Sequence, residues 1–198
     1  MTTKISGARG RPRTFDVDRA IETAMGLFHA RGYDAVGVAE LSEALGIKPP
    51  SFYAAFGNKA GLFERVLERY ATGDANVFLH ARAQGGSTAE VLERTLMRAA
   101  QLYPTRNGAA GCLVIDGTRN SADPDARALA SAAQRAGRDA VRDFIAIEAP
   151  DRAEEIADFV VITLFGMSAA ARNGVGEAAL RSFAEAAGRT LRREFGLT

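Results

Sequence analysis

Cys112 is the single cysteine of the chain. It follows Gly111, after a stretch that holds Pro104, Arg106 and Gly108. If a helix runs over 111–119, its thiol sits at a helix N-terminus. The partial positive charge there stabilises a thiolate, and Arg106 adds to it. Leu113, Val114 and Ile115 pull the other way, because apolar surroundings disfavour the charged form and turn a free cysteine into a packing residue. Both readings stand on sequence alone. The two histidines, His29 and His80, have no companion at metal-ligand or HExxH spacing, so no metal site and no cofactor is expected. A cysteine nucleophile needs a nearby base, and only those two histidines offer one. A cysteine-dependent enzyme is therefore the alternative reading, and no catalytic residue is assigned.

A second group of reactive side chains lies in Val36–Leu62, VGVAELSEALGIKPPSFYAAFGNKAGL. The stretch reads as a short helix, a turn at Gly46, where glycine supplies positive φ, and a second short helix. Leu41, Leu45, Ile47, Phe52 and Phe56 hold the two helices crossed. Lys48, Pro50, Ser51, Ala54 and Ala55 are left on the outer side of the second helix, the side that enters the DNA major groove in a helix-turn-helix. Asn58 and Lys59 open the next helix, where an ammonium group and free N–H groups suit a phosphate. Upstream, residues 1–14 carry Lys4, Arg9, Arg11 and Arg13 and no acid. The net charge of +1 thus conceals a basic N-terminal arm, suited to the minor groove.

The elements that position these residues are all helical. Pro12, Pro49, Pro50, Pro104, Pro124 and Pro150 fall between periodic segments, where they mark boundaries. Between them apolar residues recur every three or four positions, as in Val17, Ile21, Ala24 and Phe28, and no segment alternates with period two. Helices are expected at 16–31, 38–45, 50–56, 59–80, 88–103, 111–119, 124–147, 152–171 and 177–194. Hydrophobic residues make up 47% of the 198, enough for a sizeable core. The division is a basic arm over 1–14, a three-helix DNA-binding domain over 15–60 and a larger helical domain over 61–198. Ile156, Phe159, Val160, Val161, Ile162, Leu164, Phe165 and Met167 encircle their helix, which must be buried on more than one side. Leu180, Phe183, Ala187 and Leu191 form a stripe on the last helix. Two such helices from each of two chains build a four-helix interface; otherwise they complete one monomeric core. The N-terminus lacks the apolar stretch of a signal peptide, and no uncharged apolar run reaches the roughly 18 residues of a membrane span. A cytoplasmic location is expected.

Gly10–Arg13, Ala24 to Gly32-Tyr33, Ala44–Ile47, Ser51–Phe56 and Asn58-Lys59 together closely resemble the TetR family of transcriptional repressors. The match covers residues 11 to about 63; beyond that only the number and order of helices agree. The resemblance implies a homodimer formed by the last two helices, a palindromic double-stranded operator, and release by a small-molecule effector. It also implies phosphate contacts from Tyr53 and Lys59 and an arm placing Arg11 and Arg13 in the minor groove. An effector cavity between the middle helices would be lined by residues such as Phe78, Leu96, Tyr103, Phe144 and Phe165, beside Cys112. Gly111-Cys112-Leu113 resembles an element in a branch of the family with members that respond to electrophiles or oxidants through cysteine. The chain departs from the pattern at Gly37, where threonine is common, at Lys48, at Pro49-Pro50 and at Ala54-Ala55. With so few hydrogen-bonding side chains, base reading falls to Lys48, Ser51, apolar contacts to thymine methyls and DNA shape. A ligand-independent architectural DNA-binding protein is the other alternative.

Overall fold

The computed structural model describes residues 15–104 and 109–198. Arg11, Arg13 and Arg106 lie outside them. The described residues form ten α-helices and one 3-10 turn.

The first three helices make the head. In α1 (Val17–Arg31) the Asp16 side chain caps the start by accepting from the Arg19 N–H at 3.1 Å, and Gly32 at φ 79° ends it. Ala20, Ile21, Ala24 and Phe28 face inward, the three-and-four spacing that puts them on one face. Next come α2 (Val38–Ala44), a turn through Gly46 at φ 66°, and α3 (Pro49–Phe56). Phe28, Leu41, Phe52, Leu62 and Phe63 have no exposed surface, and Tyr33 has 2%. The Phe28 and Tyr33 rings stack at 5.7 Å, and Phe63 meets both edge-on. Each buried side chain of this size stabilises the fold by about 1.5–3 kcal/mol, so a head of three short helices holds together.

Two elements differ from expectation. The helix expected over 59–80 is two: α4 (Lys59–Thr72) and α5 (Val77–Ala83). Asn76 accounts for the break. Its side chain donates to the Ala71 carbonyl at 2.7 Å and accepts from the Leu79 N–H at 3.0 Å. It thereby stops one helix and caps the next, the competition with helical hydrogen bonds that asparagine offers. The helix expected over 111–119 shrinks to α7 (Leu113–Asp116), one turn that gives way to Gly117 and a bend with Asn120 at φ 63°.

Between these lies α6 (Thr88–Leu102), opened by a Ser87–Glu90 capping box. The rest of the body is α8 (Pro124–Ile145), the 3-10 turn Pro150–Arg152, α9 (Ala153–Arg172) and α10 (Glu177–Arg193). Asp123 caps α8, and Pro124 takes a first-turn position where its missing N–H costs nothing.

The stripe on α10 needs correction. Leu180, Ala187 and Leu191 are buried within the chain, and the main neighbour of α10 is α6. Arg192 of α10 makes a two-pronged pair with Glu93 of α6 at 2.6 and 2.9 Å. Only Phe183 of the four points outward, at 51% exposure. On α9, Ile156, Val160, Leu164 and Met167 are buried, whereas Ile162 is 68% exposed and Phe165 37%. No helix among the described residues is long and apolar enough to cross a membrane.

Candidate DNA interface and ligand cavity

Helix α3 hangs on Phe52 and Phe56, both buried. With that face inward, Lys48, Pro49, Pro50, Ser51, Tyr53 and Ala54 are exposed together. Lys48 occupies the N-cap, where its ammonium, a donor only, cannot accept from the helix N–H groups and offers its N–H groups outward. Tyr53 is 51% exposed, with its ring edge-on to Phe52. An exposed face with one lysine, one hydroxyl, one phenol and three apolar positions at 49, 50 and 54 favours contacts to thymine methyls and phosphates over dense hydrogen bonding. Ala55, expected on the same side, is half-buried against the core.

The start of α4 is more specialised. The Asn58 side chain accepts from the Gly61 N–H at 2.7 Å, so its oxygen is the helix cap and only its amide N–H groups are left for a phosphate. The Lys59 ammonium donates to the Tyr33 carbonyl at 3.2 Å and lies 3.9 Å from the centre of the Tyr33 ring. Sequence reasoning missed this partner. The two residues lie 26 positions apart in different elements, and no local pattern joins them.

In the body, a cavity of about 280 Å³ opens between α4, the α4–α5 link, α7, α8 and α9. Of the residues expected to line it, Cys112, Phe78, Tyr103 and Phe165 do. Leu96 does not: it is completely buried in α6. Phe144 is not among the lining residues either, and packs edge-on to Phe78 at 5.7 Å. The opposite wall, unforeseen, is the small-residue side of α8, with Ala133, Ala136, Gly137 and Ala140. Alanine and glycine there leave room that larger side chains would fill, and Gln134 and Asn76 add polar atoms to an otherwise apolar wall. A half-enclosed apolar concavity with a few polar groups is the usual form of a small-molecule site.

Cys112 stands at the inner end of a polar chain. Its Sγ accepts from the Tyr70 hydroxyl at 3.4 Å, and its N–H donates to Ser168 Oγ at 2.8 Å. Ser168 in turn donates to the buried Asp116 carboxylate, which pairs with Arg119 at 2.7 Å. Burial pushes the thiol pKa up, more than the hydrogen bond from Tyr70 lowers it. Of the two readings left open for Cys112, this burial favours the neutral packing thiol over the thiolate. One turn of helix supplies too small a field, and the low-dielectric surroundings win. His29, the nearest histidine, sends its Nε2 to the Gly111 carbonyl at 3.1 Å, and burial lowers its pKa. It faces the backbone, not the thiol, and the described residues hold no group of metal-ligating side chains.

The family profile described as bacterial regulatory proteins, tetR family, matches residues 20–66, the stretch from α1 through the first half of α4. Over 174 residues the chain is 43% identical to the HTH-type transcriptional repressor BdcR of Escherichia coli (strain K12), covering 88% of each protein. It is 32% identical to the repressor ComR of the same organism, over 96% of this chain and 94% of that one. Among solved structures it is similar to a cysteine mutant of the TetR family transcriptional regulator CifR in complex with a 26-base-pair double-strand operator. The TM-score is 0.76, with 33% identity over 91% of this chain and 98% of that one. With the head, the helical body and full-length likeness to two repressors in agreement, the chain belongs to the tetR family of bacterial transcriptional regulators.

Proposed function

We propose that the protein is a sequence-specific repressor that binds duplex operator DNA as a homodimer and is released by a small apolar molecule in the α4–α9 cavity. The observation that carries this reading is the joint exposure of Lys48, Ser51 and Tyr53 on an α3 whose other face is locked into the head by Phe52 and Phe56. Operator binding by CifR and the repressor function of BdcR and ComR support it. Dimerisation rests on the apolar surface left open by α9 and α10, and a two-fold dimer reads a palindrome through two heads. DNA fragments selected from a random pool by the wild type define the operator. Against it, Ser51→Ala and Lys48→Ala should each relax preference at particular base pairs by about 1–3 kcal/mol while leaving the others as they were. A uniform loss at every position, or none, would place base reading elsewhere.

A second mode of release is favoured by one observation: the Cys112 thiol lines the cavity. An electrophile with an activated carbon–carbon double bond held there takes the sulfur at one alkene carbon as the π bond breaks, and the thiol proton ends on the other carbon, adding bulk between α4 and α9. CifR was crystallised on its operator as cysteine mutants, in keeping with such a role. Since burial holds the thiol neutral, the rate should climb as pH rises toward the elevated thiol pKa. Wild type and Cys112→Ser are treated with N-ethylmaleimide on selected operator DNA. Release of the wild type alone is expected; equal release of both, or of neither, leaves Cys112 a packing residue.

A further inference from the structure

The turn between α1 and α2 is one place where the head meets the body, and Tyr33 is at its centre. The Tyr33 N–H donates to the Gly117 carbonyl at 2.8 Å, and its hydroxyl donates to the Asp123 carboxylate at 3.2 Å. Burial, and then the Asp123 charge, raises the phenol pKa, so the hydroxyl remains a donor. Beside it, the Asp34 carboxylate accepts from the Ser121 hydroxyl at 2.5 Å and from the Ala122 N–H at 2.9 Å. Four hydrogen bonds thus fasten two consecutive head residues to the 117–123 segment. That segment is the direct continuation of α7, and Cys112, Val114 and Ile115, at and within α7, line the cavity. On the other side, the same Tyr33 offers its carbonyl and ring face to Lys59. The ammonium has three N–H groups. The carbonyl takes one, and a cation over a ring face keeps its full charge. Lys59 therefore remains able to meet a phosphate, from a place that Tyr33 sets.

We propose that Tyr33 is a positioning residue for DNA binding: its carbonyl and ring hold the Lys59 ammonium for a backbone phosphate, and its bonds to the 117–123 segment make that position depend on the ligand-binding body. A change in the cavity that shifts α7 moves Tyr33, and with it Lys59. Lys59 is pre-ordered while the dock is closed and becomes a loose side chain when it opens. The inference rests on the reading of the head as a duplex-binding module.

The test uses the full chain and a mixed-sequence 30-base-pair duplex, with affinity followed by fluorescence anisotropy between 50 and 200 mM salt. Each phosphate contact contributes about 0.9 to the slope of log affinity against log salt. Lys59→Ala, lost from both heads of a dimer, should remove about 1.8, so the wild-type affinity falls about tenfold more than the variant's across this range. Tyr33→Leu should reproduce that flattening, Tyr33→Phe should restore the wild-type slope, and Tyr33→Leu should add nothing in the Lys59→Ala background. Because Tyr33→Leu disturbs the head core, Asp34 gives an independent arm. Asp34→Ala and Asp34→Asn remove the same charge, but only asparagine keeps both links, its oxygen accepting from the Ala122 N–H and its NH2 donating to the Ser121 hydroxyl oxygen. Ala is expected to flatten the salt dependence and Asn to retain it. An unchanged slope in Lys59→Ala overturns the phosphate role itself. A flattened slope in Lys59→Ala with additive Tyr33→Leu and indistinguishable Asp34 variants overturns only the positioning role. No duplex binding by the wild type overturns the reading beneath both.

Discussion

Ile162→Glu combined with Phe183→Glu should convert the protein to monomers and weaken operator binding by about a hundredfold or more. The two side chains are 68% and 51% exposed, and Phe165 beside them is 37% exposed. Around them several outward positions of α9 and α10 are small and uncharged, Gly166, Ala179, Ser182 and Ala186, while Asp158, Glu185 and Arg189 are exposed on the same helices. The small residues allow helices from two copies to approach closely, and an apolar patch of this kind on an otherwise charged chain marks an interface. Four glutamates added across a two-fold axis would repel one another and be costly to bury in an apolar seam. Once the dimer is lost, each head meets its half-site alone, and the joint reading of two half-sites disappears. Light scattering gives the mass, and anisotropy on the selected operator gives the affinity. Leu191→Glu separates this from a folding defect. Leu191 has no exposed surface and is covered by its own chain, so a charge there should cost several kcal/mol and unfold the body rather than split a dimer. A dimer that survives both exposed substitutions would place the interface on another face.

Gly61→Ala should destabilise the head by about 1–3 kcal/mol, where a methyl on an open helix face would stabilise it. A Cβ at Gly61 would stand 2.3 Å from the Phe56 carbonyl oxygen. That oxygen belongs to the backbone at the end of α3 and cannot swing aside as a side chain can. The Gly61 N–H is also what the Asn58 cap receives at 2.7 Å. Relief requires α3 to move off α4, which drags Phe52 and Phe56 out of the head core and tilts the DNA-reading face. Duplex binding should fall together with the unfolding midpoint in urea. Gly26→Ala is the matched control. Gly26 is within α1 with nothing near its missing Cβ, so alanine there should stabilise by about 0.5–1 kcal/mol through helix propensity. Equal stability of Gly61→Ala and the wild type would mean that the α3–α4 corner is looser than the structure has it.

The contrast between those two glycines shows where sequence reasoning stops. Gly46 could be placed from sequence because a tight turn between two short apolar stripes needs positive φ locally, and it has φ 66°. Gly61 carries no such local sign, because what it avoids is a carbonyl in the preceding helix. The same boundary runs through the rest of the molecule. The helical class, the helix-turn-helix and the outward side of Lys48, Pro50, Ser51 and Ala54 were legible, since each depends on residues a few positions apart and on which face of a short helix is apolar. Ala55, read onto that side, is half-buried, and Tyr53 came only with the family resemblance. The break at Asn76 was present in the sequence as an asparagine after Gly73, but its effect required the side chain to reach both Ala71 and Leu79.

Tertiary structure alone decided the partner of each apolar stripe. Leu180, Ala187 and Leu191 have the periodicity of an interface, but periodicity records only that a face is buried, not whether α6 of the same chain or a second copy buries it. The wall of the cavity was equally hidden. Leu96 and Phe78 are indistinguishable as large apolar residues, yet one fills solid core and the other borders a space left by Ala133, Ala136, Gly137 and Ala140. For Cys112 two local arguments opposed each other, helix terminus against apolar neighbours, and the depth of burial settled the direction because desolvation of a charge exceeds the field of a single helical turn. Tyr33 and Lys59 read separately as a core aromatic and a surface lysine. Only the fold brings the ammonium onto the ring, and only the dock on Gly117, Ser121, Ala122 and Asp123 joins that contact to the far side of the chain, because hydrogen bonds spanning more than 80 residues leave no trace in local spacing.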